Sequence, residues 1–138
     1  MIVIDSSAFS KFLMREENWE RVVNYLNPNL KPHAVDMLVV EGTNVIWKYA
    51  EKYRLITREQ AFRLYEQMMK LVKGGVIVVE SSEKYLEGAL EIAMECDIPI
   101  YDGLFLAQAK ALKAELITGD KRQGEVAKEM HVDVVYIE

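Results

Sequence analysis

Cysteine is almost missing: Cys96 is the only one among 138 residues, so no internal disulfide is available, and without a CxxC pair or Cys/His cluster no zinc site is framed. That scarcity fits a reducing cytoplasm. Three prolines and seven glycines exclude collagen-like and low-complexity chains. The longest apolar runs, Met37 to Val40 and Gly74 to Val79, fall far short of the roughly 18 residues of a membrane helix, so no membrane contact is expected. The start Met-Ile-Val-Ile-Asp lacks the charged lead, apolar stretch and cleavage site of a signal, and reads as a mature, cytoplasmic N-terminus. A basic surplus is missing as well. With 22 acidic against 17 basic residues and a formal charge of −5, the chain is no coat for nucleic acid or anionic membrane by bulk charge.

What is present is a core. Hydrophobic residues make up 51% of the chain, and a chain of this length buries about two-thirds of the surface it exposes when unfolded. No linker, repeat or composition shift marks a boundary, so residues 1–138 read as one domain. Ile2-Val3-Ile4 is a β-branched run stopping at Asp5-Ser6-Ser7; apolar residues from Phe9 to Leu26 recur at helical spacing, broken at Arg15-Glu16-Glu17, which predicts two short helices. His33-Ala34-Val35 predicts a strand, and Asp36 a cap for a helix from Met37 to about Tyr53. Thr57 and Gln60 form a capping box opening a helix that ends at Gly74-Gly75. A strand over Val76 to Val79, a helix over Glu83 to Glu95, a helix opening near Asp102, a strand over Leu116 to Thr118, a helix from Arg122 to Met130 and a strand from Val132 to Ile137 follow. Such alternation implies an α/β fold: a short central parallel sheet with helices on both faces.

Four carboxylates stand where a solvated surface acid would not. Asp5 is the only charge in the first ten residues, Glu41 the only one from Met37 through Trp47, Asp102 is alone between Ile98 and Ala109, and Asp120 closes the segment Leu116-Ile117-Thr118-Gly119. Lone acids in apolar runs are costly unless paired or bound to a metal. Asp5 and Asp120 fall at the carboxyl ends of predicted strands, and Glu41 and Asp102 near the starts of helices that follow extended segments, which is the same edge of a parallel sheet, where ligands bind. Convergence there would force the acids to repel one another unless a divalent cation held them, and oxygen donors without His or Cys favour Mg²⁺ or Mn²⁺. Taken singly, each acid has an ordinary alternative: a helix cap for Asp5 and Asp102, a Gly-Asp turn for Asp120, a buried basic partner for Glu41. Thr118 and Asn44 stand near enough in sequence to support ligands from behind.

The ordered pieces MIVIDSSAFSKFL, VVEGTNVIW, YDGLFLAQAKAL and LITGDKR resemble the PIN-domain family, particularly the single-domain VapC-type toxins of toxin–antitoxin pairs. The resemblance covers essentially the whole chain. Asp5, Glu41, Asp102 and Asp120 match the family's acidic quartet, and Thr118 its usual Ser or Thr. Gly42 and Gly103 depart from it, standing where larger residues are usual. The resemblance implies a metal-dependent endoribonuclease, with Asp5, Glu41, Asp102 and Asp120 as catalytic and Mg²⁺- or Mn²⁺-holding residues and Thr118, Asn44 and Ser6 in support. Hydrolysis by water would leave a 3′-hydroxyl and a 5′-phosphate. Lys121, Arg122, Lys11 and Arg15 are candidate phosphate contacts. It also implies a homodimer, for which the apolar stripes on the helices between Met37 and Lys73 offer a surface, and a small antitoxin protein covering the acidic groove. A housekeeping RNA-processing PIN nuclease and a non-catalytic PIN-fold binding module are the alternatives. A receiver domain would need an acidic pair after its first strand, a haloacid-dehalogenase-type phosphatase an Asp at Ser7, and a P-loop a Lys after Gly124.

Overall fold

Five parallel strands lie in the order β3-β2-β1-β4-β5, comprising β1 (Ile2–Ile4), β2 (Pro32–Val35), β3 (Val78–Glu80), β4 (Glu115–Thr118) and β5 (Val134–Tyr136). The computed structural model describes all 138 residues. Seven helices connect the strands: α1 (Ser6–Leu13), α2 (Trp19–Val23), α3 (Met37–Trp47), α4 (Arg58–Lys73), α5 (Leu86–Cys96), α6 (Ile100–Leu112) and α7 (Lys121–Glu129). With right-handed crossovers, this order places α1 to α4 on one face and α5 to α7 on the other. That double cover explains why the central strands are continuous apolar runs: Val3, Ile4, Leu116 and Ile117 are all fully buried. Val3 pairs with His33 on one side and Leu116 on the other, so β1 is the middle of the sheet and the place where strand order reverses.

The expected elements are all present, with shifted edges that have local causes. The strand expected at Val76 begins two residues later, because the amides of Val76 and Ile77 bond the Leu71 carbonyl at 3.0 and 3.3 Å, closing the end of α4 through Gly75 at φ +77°. Those amides are then lost to the sheet ladder. The helix expected from Met37 to Tyr53 is α-helical only to Trp47 and widens into a π-turn over Lys48–Lys52. Asp36 does not cap α3. Its backbone is itself helical, at φ −63° and ψ −17°, so the carboxylate turns to Ser82, accepting from its amide at 3.1 Å and from its hydroxyl. The helix expected from Glu83 opens as a 3₁₀ turn over Ser82–Tyr85, and α6 begins at Ile100 with Asp102 in its first turn. The capping box of α4 forms as expected, Thr57 and Gln60 each bonding the other's backbone amide.

Helix α6 is buried from Gly103 to Ala109, since the sheet covers one side and α5 the other. Gly103 makes that closeness possible: a Cβ there would lie 2.8 Å from the Ala89 carbonyl oxygen. The departure at Gly42 has a softer cause, the sulfur of Met68 at 2.8 Å from the same kind of virtual Cβ. No helix is long and apolar enough to cross a membrane. On the opposite face, Trp47 and Phe62 are 53% and 69% exposed and line an apolar groove with Ile46, Ala61 and Tyr65.

Gly103→Ala gains up to about 1 kcal/mol of helix propensity, yet overpacking against the α5 backbone should leave a net loss of about 1–3 kcal/mol. Urea denaturation checks this; equal or greater stability in the variant would show that α5 can shift at no cost.

Candidate active site

The chain leaves β1 at Asp5, whose extended backbone (φ −86°, ψ 172°) makes it the N-cap of α1. Its Oδ1 accepts the Ala8 amide at 3.0 Å and the Ser7 hydroxyl at 2.6 Å; neither bond uses Oδ2. Ser7 also ties β1 to the neighbouring strand end, lying 3.1 Å from Thr118 Oγ1 and accepting the Gly119 amide at 2.8 Å. Thr118 in turn accepts the Asp120 amide at 3.1 Å, and Asp120 N-caps α7 through the Gln123 amide at 3.2 Å. Gly119 lets the turn pass close to α1, since a Cβ there would meet the Ser7 carbonyl oxygen at 3.2 Å. Glu41 stands one turn into α3 and accepts the Ser6 hydroxyl at 2.7 Å, while Asp102 projects from the first turn of α6.

Asp5, Glu41, Asp102 and Asp120 therefore line one cleft of about 410 Å³ at the carboxyl ends of β1 and β4. Ser6, Ser7, Ser10, Lys11 and Glu16 also line it. Burial pushes the Asp5 carboxyl up to about 6, against the pull of Ser7, Thr118 and the Ala8 amide. Asp102 is also raised to about 6, first by burial and then by the charges of Asp120 and Glu41. Burial is the larger cause for both, and the like charges facing Asp102 across the cleft add to it. As the side chains stand, no three of the His, Cys, Asp and Glu residues lie close enough to hold one ion; Glu41 and Asp5 are drawn to Ser6 and Ser7 instead.

The supporting residues divide. Ser6 and the buried Thr118 hold cleft groups, but Asn44 is exposed and outside the lining. Of the four basic residues, Lys11 lines the cleft, its Nζ donating to the Glu17 carbonyl at 3.1 Å, and the exposed Lys121 follows Asp120 directly. Arg15 stacks over Phe12 and Trp19, 4.8 and 4.4 Å from the ring centres. Arg122 donates to the Cys96 carbonyl at 3.0 Å. Sequence reasoning passed over Ser7 and Glu16. Ser7 had a signal, a hydroxyl two residues past an N-cap Asp; Glu16, held by the Tyr49 hydroxyl at 2.9 Å, sits in a charged loop and had none.

A family model, that of the PIN domain, matches residues 2–129. The chain belongs to the PIN-domain family. This PIN domain is 25% identical over 124 residues to "Ribonuclease VapC3" of Pyrobaculum aerophilum, covering 90% of this chain and 92% of the relative. Its fold is similar to the crystal structure of PAE2754 from Pyrobaculum aerophilum, with a TM-score of 0.67 at 18% identity over 96% of this chain and 81% of the other. FitAB bound to an IR36 DNA fragment gives 0.67 at 23% identity, covering 99% and 94%, and FitAcB from Neisseria gonorrhoeae gives 0.62 at 21%, covering 97% and 96%.

Because Asp102 titrates near 6 when folded and near 3.8 when unfolded, the fold holds its proton more tightly than the unfolded chain does. The stability this contributes is complete below about pH 3.8 and lost as pH rises through about 6. In EDTA at pH 8, Asp102→Asn should therefore be more stable than wild type by about 1 kcal/mol, discounted because this side chain is only half-buried. Melting curves at pH 8 and pH 4 check the sign: the advantage should close at the lower pH, and a variant less stable at pH 8 would contradict it.

Proposed function

We propose that this PIN domain is a Mg²⁺- or Mn²⁺-dependent endoribonuclease that hydrolyses RNA phosphodiester bonds, and that it is the toxin of a VapBC-type toxin–antitoxin pair. The observation that carries the reading is the gathering of Asp5, Glu41, Asp102 and Asp120, from four separate segments, into one cleft. Apart from Lys11, the polar side chains lining that cleft are carboxylates and serine hydroxyls, a donor set suited to a hard divalent cation. Burial raises the Asp102 carboxyl first, and the charges of Asp120 and Glu41 add a repulsion that such a cation would relieve. The name of the VapC3 relative supports the activity, and the FitAB and FitAcB assemblies support a partner.

Asp5, Glu41, Asp102 and Asp120 are the proposed holders of metal. The bound cation supplies charge neutralisation at the phosphodiester and a more acidic water. Ser7 keeps Asp5 oriented through its 2.6 Å bond, and Ser6 steadies Glu41. Lys11 and Lys121 are the basic side chains placed to meet phosphates at the cleft; Arg15 and Arg122 would first have to leave their present contacts. An antitoxin would offer Arg or Lys to the same acids. A second copy of the chain is the proposed cover of the apolar groove at Trp47, Phe62 and Tyr65.

Purified protein incubated with structured RNAs should cut them with Mn²⁺ and not with EDTA, and Asp5→Asn should lose at least about 100-fold in rate. Equal cleavage by wild type and variant would make the assignment wrong. Mn²⁺ at about 100 times its Kd should stabilise wild type by about 2.7 kcal/mol, and survival of that shift in Asp5→Asn would place the ion elsewhere. Sedimentation tests the groove: wild type should run as a dimer and Phe62→Glu as a monomer, whereas a monomeric wild type at high micromolar concentration would remove this part of the reading.

A further inference from the structure

Two helices carry the same N-terminal pattern but use it differently. In α4, Thr57 is followed three residues on by Gln60, whose Oε1 accepts the Thr57 amide at 2.8 Å while Thr57 Oγ1 accepts the Gln60 amide at 3.1 Å, so the reciprocal box is closed. In α7, Asp120 is followed by Gln123 at the same spacing, and half of the box forms, the Gln123 amide reaching Asp120 Oδ1 at 3.2 Å. The other half is absent. The Asp120 amide is already given to Thr118 Oγ1, so the Gln123 side chain has nothing to cap. Its Nε2 instead donates to the backbone carbonyl of Asp102 at 2.9 Å. The side chain is 2% exposed, and its Oε1 is buried with no partner, an arrangement that costs stability and that a plain helix cap would not require.

We propose that Gln123 is a positioning residue that sets the spacing between Asp102 and Asp120, its backbone amide holding the carboxylate of one while its carboxamide holds the carbonyl of the other. The proposal rests on the metal-dependent ribonuclease reading of the same cleft. α6 and α7 are separate helices on one face of the sheet, and the two acids come one from each, Asp102 from the first turn of α6 and Asp120 from the cap of α7. Gln123 bonds both. Without its carboxamide the start of α6 is free to move relative to α7, and the two acids no longer present a fixed pair to a cation.

Gln123→Met keeps the length and bulk of the side chain while removing both the donor and the orphaned oxygen. It should melt at or above the wild-type temperature, yet bind Mn²⁺ about 10-fold more weakly by calorimetry and cut RNA with kcat lowered about 10-fold and KM for RNA unchanged. Gln123→His, which retains an N–H donor of similar reach, should recover most of the Mn²⁺ affinity. Should Gln123→Met fail to fold, Gln123→Asn, which keeps the carboxamide on a shorter arm, should show the same loss. Wild-type Mn²⁺ affinity and kcat in the folded Met or Asn variant would overturn the positioning role while leaving the nuclease reading intact. A wild-type protein that neither binds Mn²⁺ nor cuts RNA would overturn the nuclease reading and this role with it.

Discussion

One hydroxyl holds the two halves of the cleft together. Ser7 Oγ donates to Asp5 at the end of β1 and accepts the Gly119 amide just past the end of β4, so it bridges the two strand ends between which the order of the sheet reverses. In a doubly wound sheet the connections leave that point in opposite directions and open a crevice there. The four acids of the cleft come from around this stitch: α1 starts on one side of it at Asp5 and α7 on the other at Asp120, while α3 and α6 bring Glu41 and Asp102. The glycine at position 119 serves the same closeness, because any side chain there would press on the Ser7 backbone.

Carboxylates at this edge of the sheet are not all alike, and their partners decide the difference. Glu80 ends β3 a short distance along the same edge. Burial alone would raise its carboxyl, but hydrogen bonds from Lys84, Tyr85 and Gln108, with the charge of Lys84, bring it down to about 2. Tyr85 and Gln108 both reach Oε1, at 2.6 and 3.0 Å, and Lys84 reaches Oε2 at 2.7 Å. That is an acid fully occupied in holding the protein together. Asp5 and Asp102 have burial without a cation to answer it, and are displaced the other way. An acid answered by donors and one left facing other acids are thus displaced in opposite directions, though both sit at strand or helix ends.

Much of this was legible in the order of residues because it depends on local chemistry. Asp5, Glu41, Asp102 and Asp120 stood out as charges isolated in apolar runs, and the capping box at Thr57 and Gln60 formed as its spacing predicts. What could not be read depended on competition between partners far apart in the chain. Asp36 has the composition of a cap, but Ser82 offers it a better pair of donors. Asp120 and Gln123 have the spacing of a capping box, but Thr118 takes the amide that would close it. Arg15 has the charge of a phosphate contact, but two aromatic rings lie beneath it. In each case the residue type was informative and its allegiance was not.

The pairing of β1 with β4 also bears on the order in which the molecule comes into being. The bond between Ser7 and Gly119 spans 112 positions of the chain, so β1, made first, must wait at the centre of an unfinished sheet until β4 is synthesised. β2 and β3 can join it beforehand from one side. During translation the N-terminal half thus holds Asp5 and Glu41 with nothing opposite them, and the cleft closes only when Asp102 and Asp120 emerge. At ordinary rates of about 5–20 residues per second, any chemistry of the cleft is withheld for several seconds after Asp5 is made, a delay built into the strand order itself.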